Sequence, residues 1–415
     1  MRDSSFESLL AGQLREYAEA GVRPIDRFAI AEGTIAVGRS DGLGERLRHL
    51  ISTGRRPYTL VLVGLLILAL ATSVALVGSR LLTPRPALPP PHSYLNELVR
   101  ASDLPTPMGR PVLVPLLDGG VLVIGSDYGN GGDPTIAYLY DPEAGTSMRP
   151  GPMVSAEQPV GQAVRLRDGR VLLIGDGVAQ IFDPVTLGFA LVGPMVTARS
   201  GASVAVLHDG RTLIAGGMPP GGNPGADPAL RSAELFDPGA LTFSLTGSMA
   251  NSQGGGAMAT LPDGRVLMAT NPTAEIYDPS TGTFSAAGAM SAGGGNPIVV
   301  PDGRVVLFGS TGLYDGGSIT VWDPISGRFS ASSLPEPLTG ATLLDDGRIL
   351  LIGMCRGRQT GWTGLYDPAT GVTSPGPPTR ACRPTSTRLA DGRVLIVGGD
   401  INDDLEAVPT VEIFR

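Results

Sequence analysis

The sequence predicts an all-β protein, a seven-bladed β-propeller of four-stranded blades, preceded by a short α-helical tail and one transmembrane helix. Three observations predict it. An apolar strand ending in Asp-Gly and followed by a second apolar strand recurs seven times, as "LLDGGVLVIG", "RLRDGRVLLIG", "VLHDGRTLIAGG", "TLPDGRVLMAT", "VVPDGRVVLFG", "LLDDGRILLIG" and "RLADGRVLIVGG". Each is followed by a third strand with an aromatic near its end: "AYLYDP", "AQIFDP", "AELFDP", "AEIYDP", "ITVWDP", "TGLYDP" and "VEIFR". Upstream lies one uncharged run of 20 residues, "TLVLVGLLILALATSVALVG".

Composition agrees with many short strands joined by turns. Gly 59 and Pro 37 punctuate a chain of 415 residues whose apolar fraction, 42%, is too high for disorder. The net charge of -8 argues against a nucleic-acid surface, which needs a basic face.

In chain order, residues 1–56 read as a cytoplasmic helical tail. Phe6, Leu9, Leu10, Leu14 and Tyr17 fall on one helical face, and Asp26 can cap a second helix running through Ile35. Two short helices bury little core, so the tail either meets a partner, lies on the membrane, or stays loosely ordered. Residues 57–80 are the membrane span, because 20 residues at about 1.5 Å each match a hydrocarbon core of roughly 30 Å. Arg46, Arg48, Arg55 and Arg56 precede it and only Arg80 and Arg85 follow closely, which places the N-terminus in the cytoplasm and the rest outside. Residues 81–93, with "LTPRPALPPPH", form a Pro-rich, extended spacer.

Residues 94–415 form the propeller. The turn aspartates Asp118, Asp168, Asp209, Asp263, Asp302, Asp346 and Asp391 are 39 to 54 residues apart, the length of a four-strand blade. Asp-Gly between apolar runs predicts a two-residue hairpin with positive φ at both turn positions. Small residues in "GQAV", "GASV", "GAMA" and "GATL" suit innermost strands crowded at an axis. The last unit stops after its third strand, so residues 94–105, "YLNELVRASDLP", are expected to supply its fourth.

The repeated Tyr-Asp and Phe-Asp pairs read as scaffold, since chemistry is seldom repeated six times. The arginine opening strand two should approach the aspartate ending strand three of the same blade, pairing Arg170 with Asp183, Arg211 with Asp237, Arg265 with Asp278, Arg304 with Asp323 and Arg348 with Asp367. The same aspartates suit turn initiation by capping nearby amides.

The "DGRVLIVGG" and "YDPSTGTF" signatures resemble those of Kelch-repeat propellers of bacterial type, over about residues 94–415. The resemblance departs where the double glycine closing strand two survives only at Gly216–Gly217 and Gly398–Gly399. The family includes binding scaffolds and a copper radical oxidase resembling galactose oxidase. A copper site of that kind implies two histidines, two tyrosines and a nearby cysteine. His208 is the only histidine of residues 94–415, so no cofactor and no metal are expected.

Functional residues are sought on the face opposite the Asp-Gly turns, where loop lengths vary. Tyr128, Tyr314, Arg356, Arg358 and Trp362 are the ligand-binding candidates. Cys355 and Cys382, the only cysteines, fall in loops of that same face, either bonded or as two free thiols. Asp400, Asn402 and Asp404 alternate like the start of a calcium loop, but the glycine and terminal glutamate of that motif are missing. No phosphate-binding loop or nucleophile elbow is present. The expected function is therefore a membrane-anchored, non-enzymatic scaffold binding a protein or glycan outside the cell. The alternatives are an exported carbohydrate-active hydrolase or lyase using loop-face carboxylates, and a transmembrane sensor acting on a cytoplasmic partner.

Overall fold

The computed structural model describes residues 94–415 apart from 127–134, 155–160, 176, 223–226, 252–254, 271, 291–294, 296, 311–315, 356–359, 381 and 402–405. The helical tail, the span and the spacer expected over residues 1–93 lie outside the described residues. Among those described, no helix is long and apolar enough to cross a membrane.

Seven four-stranded antiparallel sheets occupy 109–148, 162–191, 203–245, 257–289, 297–334, 338–375 and 385–414, the last taking its outer strand from Leu98–Arg100. The third blade shows the plan: Ser203–Val206, Thr212–Ala215, Ala233–Asp237 and Thr242–Leu245 pair in that order. First strands of neighbouring blades touch, which sets them innermost in the ring. The second strand is buried along its whole length, because neighbouring blades cover both faces of each sheet. That is why it reads as an unbroken apolar run. The core accordingly lies between blades: Leu172, Ile174 and Ile181 of the second blade pack with Ile214 and Phe236 of the third. Each such side chain stabilises the ring by roughly 1.5–3 kcal/mol.

The Asp-Gly hairpins differ from the expected two-residue turn. In the second blade Leu166 N–H donates to Arg170 O and Gly169 N–H to Leu166 O, so the loop has three residues. Only the glycine has positive φ, 93° at Gly169 and 85° to 95° in the other six turns. A first turn of ordinary hand followed by a left-handed glycine satisfies the strand twist with one special residue instead of two. Pro262 and Pro301, directly before the turn aspartate, suit the first corner of such a turn.

The expected arginine partners also change. Arg170, Arg211, Arg265, Arg304, Arg348 and Arg393 pair with the turn aspartate two residues earlier, Asp168, Asp209, Asp263, Asp302, Asp346 and Asp391, at 2.6–2.7 Å. The cause is local: the aspartate Oδ1 already accepts the arginine's own amide, so Oδ2 faces the guanidinium. The arginine then crosses to the next blade, Arg170 Nη2 donating to Pro238 O and Arg304 Nη2 to Pro368 O. Strand-three aspartates serve their own turns instead. Asp183, Asp237, Asp278, Asp323 and Asp367 accept amides two residues on. Four of the six Asp-Pro turns described end on a left-handed glycine, and two end on Leu187 and Leu241, φ 56° each.

The last blade closes the ring. Leu98–Arg100 pairs with Val411–Phe414, and Glu97 and Arg415 exchange backbone hydrogen bonds and an ion pair of 2.7 Å. Elsewhere a strand-three aromatic packs on a strand-four phenylalanine, as in Phe182–Phe189, Phe236–Phe243 and Tyr277–Phe284, each at 4.9 Å. Here Tyr94 stacks on Phe414 at 5.7 Å, donates to Gly392 O and accepts the Asp345 amide.

Candidate functional site

Two faces bound the ring, and repetition separates them. The turn face carries the shared Asp-Gly and Asp-Pro turns. A groove of about 510 Å³ lies on it between the third and fourth blades, lined by His208, Asp209, Asp263, Arg265, Asp278 and Ser280 among others. Its carboxylates are already engaged by Arg211, Arg265 and Ser280. His208 lies against Gly264, whose missing Cβ leaves room for the imidazole.

The loop face is positioned by a device not read from the sequence. In five of the seven blades, a polar side chain two residues before the strand-three aromatic reaches the loop that leads into its own blade. Gln180 Oε1 accepts the Val154 amide. Glu234 accepts the amides of Val196 and Thr197, at 2.7 and 2.8 Å. Glu275 accepts those of Ala250 and Asn251, and Glu412 that of Arg380. In the first blade the Tyr138 hydroxyl meets Thr106 Oγ1 at 3.3 Å. A carboxylate holding two amides satisfies donors that a buried loop would leave orphaned. The signal was visible in "AELFD", "AEIYD" and "VEIF", where a glutamate recurs in an otherwise apolar strand.

Glu234 is further tied to Arg199, both side chains fully buried and 2.7 Å apart. Arg199 also donates to the carbonyls of Thr197, Gly216 and Ser232. The pair is structural, with its donors and acceptors directed at named partners. Burial pushes the Glu412 carboxyl above its ordinary value against the pull of the Arg380 amide and the Arg380 and Arg100 charges.

Of the candidates, Trp362 is half-buried at the loop-face end of strand three in the sixth blade, its ring lying over Gly353 and Gly364. Cys355 and Cys382 are joined in a disulfide, buried, with Cα atoms 5.3 Å apart. Tyr128, Tyr314, Arg356, Arg358, Asn402 and Asp404 lie outside the described residues. Asp400 starts a two-residue strand that pairs with Glu406–Ala407. Toward the axis, hydroxyls tie first strands of neighbouring blades: Ser203 Oγ donates to Gly256 O, Thr260 Oγ1 to Val206 O, and Thr342 Oγ1 meets Ser386 Oγ at 2.7 Å.

No protein-family model matches this chain, and no curated protein matches it. Among the solved structures that match is a fungal alcohol oxidase of the AA5 family, in complex with copper: 17% identical, TM-score 0.61, covering 77% of this chain and 76% of that one. At that identity the likeness supports the fold alone, a seven-bladed propeller. It also corrects the functional expectation. The neighbour is an enzyme, which overturns a purely non-enzymatic scaffold, and neither the hydrolase or lyase nor the sensor has a counterpart in it.

The described residues do not fit the neighbour's copper. Among the described residues no three His, Cys, Asp or Glu side chains come together as a metal-binding group. His208 stands on the turn face, and both cysteines are bonded to each other. The donors that copper prefers are therefore dispersed or consumed.

Proposed function

We propose that the chain is an enzyme acting on a small hydroxyl-bearing molecule at the loop face of its propeller, and that it works without a copper centre. The observation that carries this reading is the fold shared with an alcohol oxidase over about three quarters of both chains. An alcohol is accordingly the substrate class to test first. Two further features support the reading. The residues the blades do not share gather in the loops of that face, and the loops are held by buried anchors, as chemistry that depends on geometry requires. The copper-free part rests on the scattered donor set.

The location belongs to the same proposal. The uncharged run within 57–80, the arginines before it and the "DGRVLIVGG" signature support a bacterial, single-pass protein with its propeller outside, and the disulfide suits an oxidising compartment.

The test incubates the detergent-solubilised full chain with a panel of primary alcohols and sugars and follows substrate loss by NMR. Conversion that is unchanged by chelator, and lowered at least tenfold by one of Tyr128→Ala, Tyr314→Ala, Arg356→Ala or Arg358→Ala, is the expected result. Absence of conversion overturns the enzyme, and dependence on added copper overturns the copper-free part.

A further inference from the structure

The sixth blade breaks the anchoring rule of the loop face. At the position of Tyr138, Gln180, Glu234, Glu275 and Glu412 it carries Gly364, which has no side chain to reach a loop. The Trp362 ring occupies that place, so that a Cβ on Gly364 would overlap it. What holds this blade's loops instead is a different set of bonds. Gly353 N–H donates to Trp362 O, Met354 N–H to Pro337 O, and Gly361 and Thr379 exchange hydrogen bonds of 2.9 and 3.1 Å. Directly beside them the only two cysteines of the chain link Cys355, after the second strand of blade six, to Cys382, in the loop that leads into blade seven.

We propose that the Cys355–Cys382 disulfide is a local clasp that ties the loop after strand two of blade six to the loop leading into blade seven, ordering the loop face there and seating Trp362, and that reducing it loosens this face while the ring stays closed. The physical reason is a division of labour. Ring closure is secured on the far side of blade seven, where Leu98–Arg100 pairs with Val411–Phe414 and Tyr94 plugs the turn face. Neither element contains a cysteine. The loop bonds of blade six, by contrast, lie within a few residues of one cysteine or the other. Besides the covalent link, the two backbone hydrogen bonds between Gly361 and Thr379 join these loops, each worth about 0.5–1.5 kcal/mol net. A link that spans two blades thus sets their spacing at the loop face and nowhere else.

The test compares amide hydrogen exchange in three samples of the full chain: oxidised, reduced with a phosphine, and the Cys355→Ala, Cys382→Ala double variant. Exchange at Gly353, Met354, Gly361 and Thr379 is expected to accelerate at least tenfold in the latter two, with protection kept at Glu97, Ala101 and Arg415. Trp362 emission, isolated by subtracting a Trp362→Phe sample whose remaining tryptophan is the buried Trp322, is expected to shift to the red. Unchanged exchange in both the reduced and the variant protein overturns the clasp. Loss of protection at the closing strand in step with blade six, or a variant that fails to fold, overturns its local character.

Discussion

Single residues decide where this repeat tolerates strain. Leu241 holds the left-handed position that glycine occupies in four sister turns, at a cost of about 1–2 kcal/mol, and its side chain is partly exposed. Glycine also loosens the unfolded chain, by about 0.4–1 kcal/mol. Leu241→Gly is therefore expected to stabilise by about 0.5 kcal/mol, a rise of roughly 1 °C in the thermal midpoint of the full chain. Arg199 works the other way. Arg199→Met leaves Glu234 buried with only amides for partners and is expected to cost about 3–5 kcal/mol in equilibrium denaturation. The double variant Arg199→Met, Glu234→Met should recover part of that loss, because no buried charge remains.

Titration acts at the same scale. The Arg304 hydrogen bond holds Asp302 below the ordinary carboxylate value of 3.8, and the Ile325 and Ala369 amides do the same for Asp323 and Asp367. Their contribution is fully present above 3.8 and is lost as pH falls through the lowered values. Glu412 has the opposite sign: raised by burial, it favours the fold below 4.5, and that contribution is lost as pH rises through its raised value. Thermal melting as a function of pH should show an acid limb starting below 3.8. In Asp302→Asn the limb should be shallower.

At the scale of the element, the blade is defined by which side chain its third strand sends toward the preceding loop. Restoring the consensus in blade six with Gly364→Glu drives a carboxylate into the Trp362 ring and is expected to destabilise by about 1–3 kcal/mol. Combining it with Trp362→Ala clears the space, and the double variant should be more stable than Gly364→Glu alone in the same denaturation experiment. Failure of that rescue would mean that the loop leading into blade six has no amides to offer. The blade count, the strand order and the aromatic pairs were all legible in the repeats. The anchors were legible in principle, since a glutamate two residues before the aromatic recurs in three of the seven third strands. Its role was not, because its partners are backbone amides, which leave no mark on composition.

At the scale of the whole molecule, stability depends on closing a ring from its two ends. Tyr94 contributes a stacked ring and two hydrogen bonds to blades six and seven across almost 300 positions of chain. Tyr94→Ala is expected to cost about 3–5 kcal/mol and to speed amide exchange first in the closing strand and in Val411–Phe414, ahead of the third blade. Tyr94→Phe keeps the stack and should lose far less. If exchange quickens evenly around the ring, the closing blade is not the weak point.

The sequence by itself determined the number of blades and the four-strand plan, because periodicity and turn chemistry are properties of neighbours in the chain. Only the tertiary structure decided how the arginines pair, how the Asp-Gly loops turn, and that Cys355 meets Cys382. Those choices turn on distances between groups that several strands bring together. A guanidinium takes the nearest carboxylate and then a carbonyl on the next blade, and which carbonyl that is follows from packing. The positions of the remaining copper-type donors also follow from packing. The ring places His208 on one face and the bonded cysteines on the other.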